Sequence, residues 1–207
     1  MNKVITLTKE DFLAKGLHKE CYIHPDDKSL CIKTPYTSAG GDGKKEYERE
    51  VKFNELVLKR KNWSSILPKY YGKVCTNFGE GVVYEIVKDY DDEISKSLKD
   101  YLCTEGFLKD NFTQVAAAIR SLKSSMLDDK IITMRIVPEN LLYKRQKDGS
   151  VKIMIIDDLG TPAFIPFEYY FSFAAKAKVK RKWAQFLNTL KVECEQPLID
   201  KLINEIN

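Results

Sequence analysis

The sequence predicts an α+β protein with an N-terminal β-rich lobe, residues 1–88, and a reduced helical C-terminal lobe, residues 89–207. Short β-prone runs separated by turn residues fill the first part. Segments with apolar residues at helical spacing fill the second. A length of 207 residues suits one large domain or two small lobes. The change of pattern favours two lobes, joined near residues 86–93.

The N-terminal lobe starts with a predicted hairpin. Residues 20–24 have strand character, residues 25–29 supply turn chemistry, and residues 30–33 form a second strand. Lys33 therefore lies on the second strand, directly before Thr34 and a proline.

One helix and two more strands complete this lobe. A glycine-rich loop at 37–43 precedes a helix over 44–61, in which the apolar residues follow a helical period only loosely. Residues 70–75 and 81–87 are predicted strands, connected by a turn that contains Asn and Gly. We therefore expect an antiparallel sheet interrupted by one helix.

The C-terminal lobe is predicted to be mostly helical. Helices are expected over 95–102 and 107–127. Residues 140–143 and 151–156 form a hairpin closed by Lys-Asp-Gly-Ser, and helical sequence resumes at Phe167.

Composition excludes several classes of protein. A net charge of +4, from 34 basic and 30 acidic residues, is too balanced to indicate nucleic-acid binding by itself. Five dispersed cysteines without a CxxC pair argue against disulfide frameworks and zinc sites, and two histidines argue against a Ser-His-Asp triad. No apolar stretch approaches the roughly 18 residues of a membrane span, and no signal peptide is evident. We expect a cytoplasmic protein.

Four polar features occur in a suggestive order. Lys33 follows a hairpin, Glu50 lies on the next helix, Asn140 follows a Pro-Glu turn, and the adjacent Asp157 and Asp158 follow an apolar strand. A lysine can reach phosphate oxygens and a carboxylate can hold it in place, while Mg²⁺ prefers carboxylate and amide oxygens. These residue types fit a phosphate group with a divalent cation, and the resemblance described next implies that the ligands are ATP and magnesium.

This order resembles the protein-kinase-like fold. The stretch Leu30-Cys31-Ile32-Lys33 resembles the strand that bears the ATP-binding lysine, and Glu50 resembles its helix partner. Ile136-Val137-Pro138-Glu139-Asn140 is similar to the catalytic-loop tail that ends in a metal-binding Asn, and Asp158-Leu159-Gly160 to the Asp-Phe-Gly element.

The resemblance also implies roles for a loop and a linker. Gly16 would belong to the phosphate loop, and the segment from Glu85 to Lys88 would offer backbone groups to an adenine ring.

The whole chain resembles the YrbL family, small bacterial proteins of the PhoP regulatory network. Similar stretches are Lys-Glu-Cys-Tyr-Ile-His-Pro at 19–25, Pro-Glu-Asn-Leu-Leu at 138–142 and Ile-Asp-Asp-Leu-Gly at 156–160. The resemblance implies a kinase-like domain in a Gram-negative cytoplasm, linked to envelope or Mg²⁺ stress.

Three departures from active kinases matter. The position five residues before Asn140, where kinases carry the catalytic Asp, holds Arg135, which stays protonated and cannot act as a general base. The phosphate loop has Gly16 but no second glycine, so His18 and Lys19 would contact phosphate by side chain instead. Little chain is left for an activation segment after residue 160.

The magnesium-binding aspartate is ambiguous. On a strand, Asp157 and Asp158 would point to opposite faces. The Asp-Phe-Gly spacing favours Asp158, whereas the Asp-x-x-Gly spacing of the YrbL resemblance favours Asp157. Both stay open at this point.

Each of these residues also has a structural interpretation. Lys33 would then be a solvent-facing strand residue, and Glu50 would join its acidic neighbours on a solvated helix face. Asn140 and the aspartates would stabilise turns. The basic run 176–182 is either a solvated helix face or a site for an anionic partner such as nucleic acid.

Three functions are compatible with these features. The first is an ATP- and Mg²⁺-binding atypical phosphotransferase that acts on a small or envelope-related substrate, with Arg135 contacting an acidic substrate. The second is a pseudokinase that regulates a partner. The third, supported by the 176–182 run alone, is nucleic-acid binding.

Overall fold

The computed structural model describes residues 4–36, 42–60, 63–194 and 197–207. Its chain divides into two compact units. The first comprises Met1–Trp63 and Pro68–Ile86, and the second Ser64–Leu67 and Val87–Asn207. A six-stranded sheet, a two-stranded sheet and helices are present, so the predicted α+β class is confirmed.

The first unit contains the six-stranded sheet, in the order β1-β5-β6-β4-β3-β2. Its strands are β1 Val4–Ile5, β2 Phe12–Lys15, β3 Lys19–His24, β4 Asp27–Pro35, β5 Tyr70–Thr76 and β6 Gly79–Glu85. Neighbouring strands pair antiparallel, except that β1 pairs parallel with β5. The predicted turn at residues 25–29 is too long, because Asp27 already pairs with His24 and leaves two turn residues.

The helix of the first unit, α1, spans Asp42–Lys59. Tyr47 and Val51 lie one turn apart and pack with Tyr84 in an apolar cluster beside the sheet. Glu50 and Asn54 fall on the same buried stripe of the helix. The helix predicted over 44–61 thus begins and ends two residues early, and the predicted loop at 37–43 lies mostly outside the described residues.

The second unit combines helices with a small hairpin. Its elements are α2 Leu98–Leu102, α3 Phe107–Asp128, β7 Leu141–Arg145, β8 Val151–Ile155, α4 Phe167–Tyr170, α5 Ser172–Glu193 and α6 Ile199–Ile206. The predicted helix over 95–102 begins at Leu98 instead, because Ser97 caps it: the Ser97 Oγ accepts a bond from the Asp100 amide at 3.1 Å.

The core of this unit forms where α3 packs on β8 and on α5. Val115, Ile119 and Leu122 on α3 are at most 1% exposed, and Val179 and Phe186 line the buried face of α5. Full burial of each such side chain contributes roughly 1.5–3 kcal/mol. This packing fixes the loops before β7 and after β8, which carry the polar residues predicted to be functional.

Candidate functional site

A buried carboxylate, Glu50, organises the polar group of the first unit. Its side chain is 3% exposed. The Lys19 Nζ donates to Glu50 Oε2 at 2.5 Å, and the Tyr84 hydroxyl donates to Oε1 at 2.7 Å. The Asn54 amide in turn donates to the Tyr84 hydroxyl at 2.6 Å. Glu50 is therefore held by neighbours on the sheet, and its interpretation as a solvated residue is wrong.

Lys33 lies beside this carboxylate as the sequence order suggested. Its Nζ is 3.9 Å from Glu50 Oε1 and 5.2 Å from the centre of the Tyr84 ring. Its side chain is 12% exposed, so it is not a solvent-facing lysine. The structure thus brings Lys33 and Glu50 together, but Lys19 makes the closer contact.

The register of the hairpin explains how two lysines reach one glutamate. Cys21 pairs with Lys33, so Lys19, two residues away on β3, lies on the same face as Lys33. Lys19 also lies 3.5 Å from Glu46, one turn before Glu50 on α1. Lys19 was predicted to contact phosphate by its side chain, and its bond to Glu50 was not predicted.

Burial gives this arrangement its electrostatic character. Two lysines and two glutamates with little access to water neutralise one another, which removes most of the cost of burying each charge alone. A thiol lies nearby: a hydrogen bond with Cys21 lowers the pKa of Cys31, burial opposes that effect, and the charge of Lys33 adds to it. The charges of the group thus act on this thiol in opposite directions, since that of Glu50 raises its pKa.

Gly16 closes the turn between β2 and β3. Its amide donates to the Lys19 carbonyl at 2.8 Å, and its carbonyl accepts from the Tyr36 hydroxyl at 3.0 Å. The Gly16 amide is thus engaged within the turn. Its role in a phosphate loop stays a prediction.

The segment predicted to contact adenine is hydrogen-bonded to its neighbours. The Glu85 amide donates to the Lys69 carbonyl at 2.9 Å, and the Ile86 amide to the Ser29 carbonyl at 2.8 Å. Lys88 forms an antiparallel bridge with Ile94. A nucleotide would have to use other backbone groups of this segment, and the adenine role stays a prediction.

A second buried carboxylate, Asp158, organises the polar group of the second unit. Asp158 Oδ2 accepts a bond from Arg135 Nε at 3.1 Å and one from Asn140 Nδ2 at 3.0 Å. Three of the predicted site residues therefore meet at one oxygen atom. Asn140 reaches it from a single 3-10 turn, Pro138–Asn140, directly before β7.

The backbone at this point differs from the prediction. Strand β8 ends at Ile155, so Asp157 and Asp158 do not alternate on a strand. Asp158 has φ 59°, a left-handed conformation that Asp and Asn tolerate better than most residues. The Asp158 amide donates to Asp157 Oδ1 at 2.8 Å, which closes the turn locally.

The loop that carries Arg135 is attached to this turn. The Met134 amide donates to the Asp158 carbonyl at 2.7 Å, and the Gly160 amide to the Ile132 carbonyl at 2.8 Å. Arg135 therefore comes directly after Met134, whose amide is hydrogen-bonded to this turn. Its side chain is 62% exposed, while that of Asp158 is 4% exposed.

Magnesium fits these residues only together with other ligands. Among the described residues, no group of three or more His, Cys, Asp or Glu side chains could hold a metal ion. Mg²⁺ in phosphate-binding proteins typically uses one or two carboxylates, while phosphates and waters complete its shell. The Asn140 Nδ2 donates a hydrogen bond to Asp158. The amide oxygen is therefore the atom of the Asn140 side chain that is suited to bind a cation.

The basic run 176–182 is only partly a solvated face. Lys178 donates to Glu168 Oε1 at 2.5 Å and to the Thr161 hydroxyl, and its side chain is 10% exposed. Burial favours protonation of Glu168, but the bonds from Lys178 and Thr161 outweigh it and lower the pKa of Glu168. Burial, followed by the charges of Arg181 and Lys178, lowers the pKa of Lys182.

A third carboxylate group, around Asp89, was not predicted from the sequence. Asp89 Oδ2 accepts from Arg145 Nε at 2.6 Å, and its Oδ1 accepts from the Ser95 hydroxyl at 2.6 Å. Burial raises the pKa of Asp89, but the bonds from Ser95 and Arg145 outweigh this and the net shift is downward. The group ties the start of the second unit to β7, and no sequence motif marks it.

The chain is thus an α+β protein of two compact units, with predicted site residues gathered around buried Glu50 in the first and around buried Asp158 in the second. None of the helices in the described ranges combines the length and apolar character that a membrane crossing requires. The chain belongs to the family described as PhoP regulatory network protein YrbL, whose profile matches residues 5–191.

Relatives support this membership. The chain is 32% identical over 185 residues to the protein named "Uncharacterized protein YrbL" of Escherichia coli, which covers 89% of this chain and 87% of the relative. The protein of the same name from Shigella flexneri gives the same values. The resemblance to the YrbL family is confirmed.

Proposed function

We propose that the protein is a kinase-like module that binds ATP with Mg²⁺ and acts within a regulatory network as a pseudokinase. The observation that carries the proposal is the buried Glu50 with Lys33 at 3.9 Å and Lys19 at 2.5 Å. A buried glutamate that orients a lysine is the arrangement that kinases use for nucleotide phosphates. In this proposal Lys33, whose Nζ lies 3.9 Å from Glu50 Oε1, is the lysine that interacts with a phosphate group.

The proposal for magnesium is that Asp157 and Asn140 contribute ligands. The Arg135 guanidinium offsets the negative charge of Asp158, which makes Asp158 the less suitable of the two aspartates for a cation. Asp157 lies next to it and is half-buried. The ion would supply charge neutralisation for nucleotide phosphates.

The regulatory role is favoured over catalysis by Arg135. Its guanidinium cannot accept a proton, and it is bonded to the carboxylate that Asp-Phe-Gly spacing assigns to the metal. Both features suit a protein that binds nucleotide without rapid transfer.

Atypical phosphoryl transfer is the second candidate. Transfer of a phosphoryl group relies mainly on positioning and charge stabilisation, so loss of the base need not abolish it. The 62% exposed side chain of Arg135 would then contact an acidic substrate. The substrate class proposed on this view is small or envelope-related.

Thermal unfolding with and without Mg²⁺–ATP tests the nucleotide proposal. We expect ATP to stabilise the wild type, by about 2.7 kcal/mol at a concentration 100 times the Kd, and not to stabilise Lys33→Ala. Lys73→Ala is the matched control, since Lys73 is an exposed lysine on β5 of the same unit with an ion pair to Glu80 at 3.3 Å. Absence of a shift in the wild type at millimolar ATP would contradict the proposal.

Labelled ATP separates the two candidates. The protein would be incubated with a cell-envelope extract, alongside Asp157→Ala and Asp158→Ala. A labelled acceptor that depends on either aspartate would establish the phosphotransferase and exclude the pseudokinase. ATP binding without an acceptor, and without hydrolysis above that of the variants, is the expected result.

A further inference from the structure

The segment around α4 carries an unusual set of exposed apolar side chains. Phe164 is 100% exposed and Phe173 is 76% exposed. The complete set of exposed large apolar residues in this segment is Phe164, Ile165, Phe167, Tyr170, Phe171 and Phe173. A contiguous run of exposed aromatic residues marks an interaction surface, because single exposed residues are ordinary but a cluster is not.

The exposed face continues from aromatic to basic residues along α5. Phe173, Lys176 and Lys180 recur at spacings of three and four residues, and all are exposed together with Arg181. No acidic residue lies between Glu168 and Glu193 in the sequence. One helix face thus passes from an apolar end to a positively charged stripe.

An adjacent face of α5 is fixed in the core. Ala175, Val179 and Trp183 are at most 2% exposed. The ion pair between Lys178 and Glu168 and the contacts between α4 and α5 hold the aromatic segment on the helix. The exposed residues therefore cannot be buried by a rotation of α5 about its axis.

We propose that the surface formed by residues 164–173 and by Lys176, Lys180 and Arg181 docks on an anionic lipid membrane. The aromatic side chains enter the interface between headgroups and acyl chains, and the cations meet lipid phosphates. This combination of apolar and cationic residues on one helix face is typical of interfacial attachment, which needs no membrane-crossing helix.

The separation of the two residue types favours a membrane over nucleic acid. Single-stranded nucleic acid is bound in a positively charged groove that follows the backbone, with aromatic side chains set along it on which successive bases stack. Here the apolar residues of 164–173 include no cation, and the cations begin at Lys176. A lipid bilayer, in which apolar acyl chains lie below charged headgroups, matches this separation of apolar and basic residues.

Vesicle co-sedimentation tests the proposal. The full chain would be mixed with vesicles of phosphatidylcholine alone, or with vesicles in which about one lipid in three is phosphatidylglycerol. We expect binding to the anionic vesicles that weakens with salt and is at least about tenfold weaker on neutral ones. Absence of binding to the anionic vesicles overturns the proposal.

Two variants test the two parts of the surface. Phe173→Ser should weaken binding by about tenfold, whereas Val192→Ser on the same helix, equally exposed at 76%, should not. Neutralising Lys176, Lys180 and Arg181 to Gln should weaken it by about a hundredfold. The matched control neutralises three exposed lysines of α1, Lys44, Lys52 and Lys59.

Other occupants of this surface give different results. Tighter binding to single-stranded DNA than to anionic vesicles, lost in the same basic variant, would assign the surface to nucleic acid and overturn the proposal. A dimer in light scattering that Phe173→Ser dissociates would assign it to a second copy of the chain. Variants whose circular dichroism matches the wild type but whose vesicle binding is unchanged would also overturn it.

Discussion

Glu50 and Asp158 are buried carboxylates with the same chemistry but different surroundings. Glu50 of the first unit receives bonds from Lys19 and Tyr84, both of which are buried. Asp158 of the second unit receives bonds from Asn140 and from Arg135, whose side chain is mostly exposed. The difference suggests that the first group is fixed by folding, whereas the second can exchange a partner with solvent or a ligand.

The largest loss of stability is expected for Glu50→Gln. The substitution leaves Lys19 and Lys33 buried with one carboxylate fewer, so the free energy of unfolding should fall by about 3–5 kcal/mol. Urea unfolding followed by Trp63 fluorescence in a Trp183→Phe background would report on the first unit alone. Glu55→Gln, at an exposed position of the same helix, is the control and should change stability by less than about 0.5 kcal/mol.

A smaller effect is expected for Asp158→Asn. Asparagine tolerates the left-handed conformation, and its amide oxygen can still accept both hydrogen bonds, so only the charge is lost and stability should fall by about 1–2 kcal/mol. Urea unfolding, followed by Trp183 fluorescence in a Trp63→Phe background, would measure this loss of stability. Asp157→Asn is the neighbour control. A loss as large as that of Glu50→Gln would remove the contrast between the two groups.

The Glu168–Lys178 pair adds a pH test within the second unit. The pKa of Glu168 is lowered in the folded state, so its contribution is complete above the unfolded value near 4.5 and is lost as pH falls through the folded pKa. The difference in unfolding free energy between wild type and Glu168→Gln should therefore shrink below about pH 4.5. A difference that stays constant from neutral pH to about pH 3 would contradict the ionic character of the pair.

The smallest effect is expected for Arg135→Gln. Because the arginine is 62% exposed, its ion pair with Asp158 should contribute no more than about 1 kcal/mol to stability. A double-mutant cycle with Asp158→Asn isolates the coupling of the two side chains. Coupling well above that value would show that Arg135 mainly stabilises Asp158. It would argue against a role for Arg135 in contacting an acidic substrate.

The sequence predicted the local elements better than their contacts. The hairpin with Lys33 and the helix with Glu50 follow from turn residues and apolar spacing, and both are present. The pairing of Lys19 with Glu50 depends on the register of β3 and β4, which includes an irregularity at Ile23 that no residue pattern indicates. Local patterns specify the period of an element but not which partner it meets.

The polar group of the second unit shows a further limit. Arg135, Asn140 and Asp158 were all selected from the sequence, but their meeting at one oxygen atom was not. It depends on where β8 ends and on the left-handed residue after it, and an Asp-Asp pair is compatible with several backbone paths. The burial of Lys178 could likewise not be predicted from its position in a run of positive charges, because it depends on how α4 packs on α5.

The left-handed backbone at Asp158 limits which amino acids this position can accept. A side chain there must tolerate positive φ, which excludes β-branched residues, and it must also accept bonds from Arg135 and Asn140. Asp and Asn satisfy both conditions, and glycine satisfies the first alone. In a saturation library selected for folding, position 158 should therefore retain Asp and Asn ahead of glycine and exclude β-branched residues, while position 157 should retain a broader set.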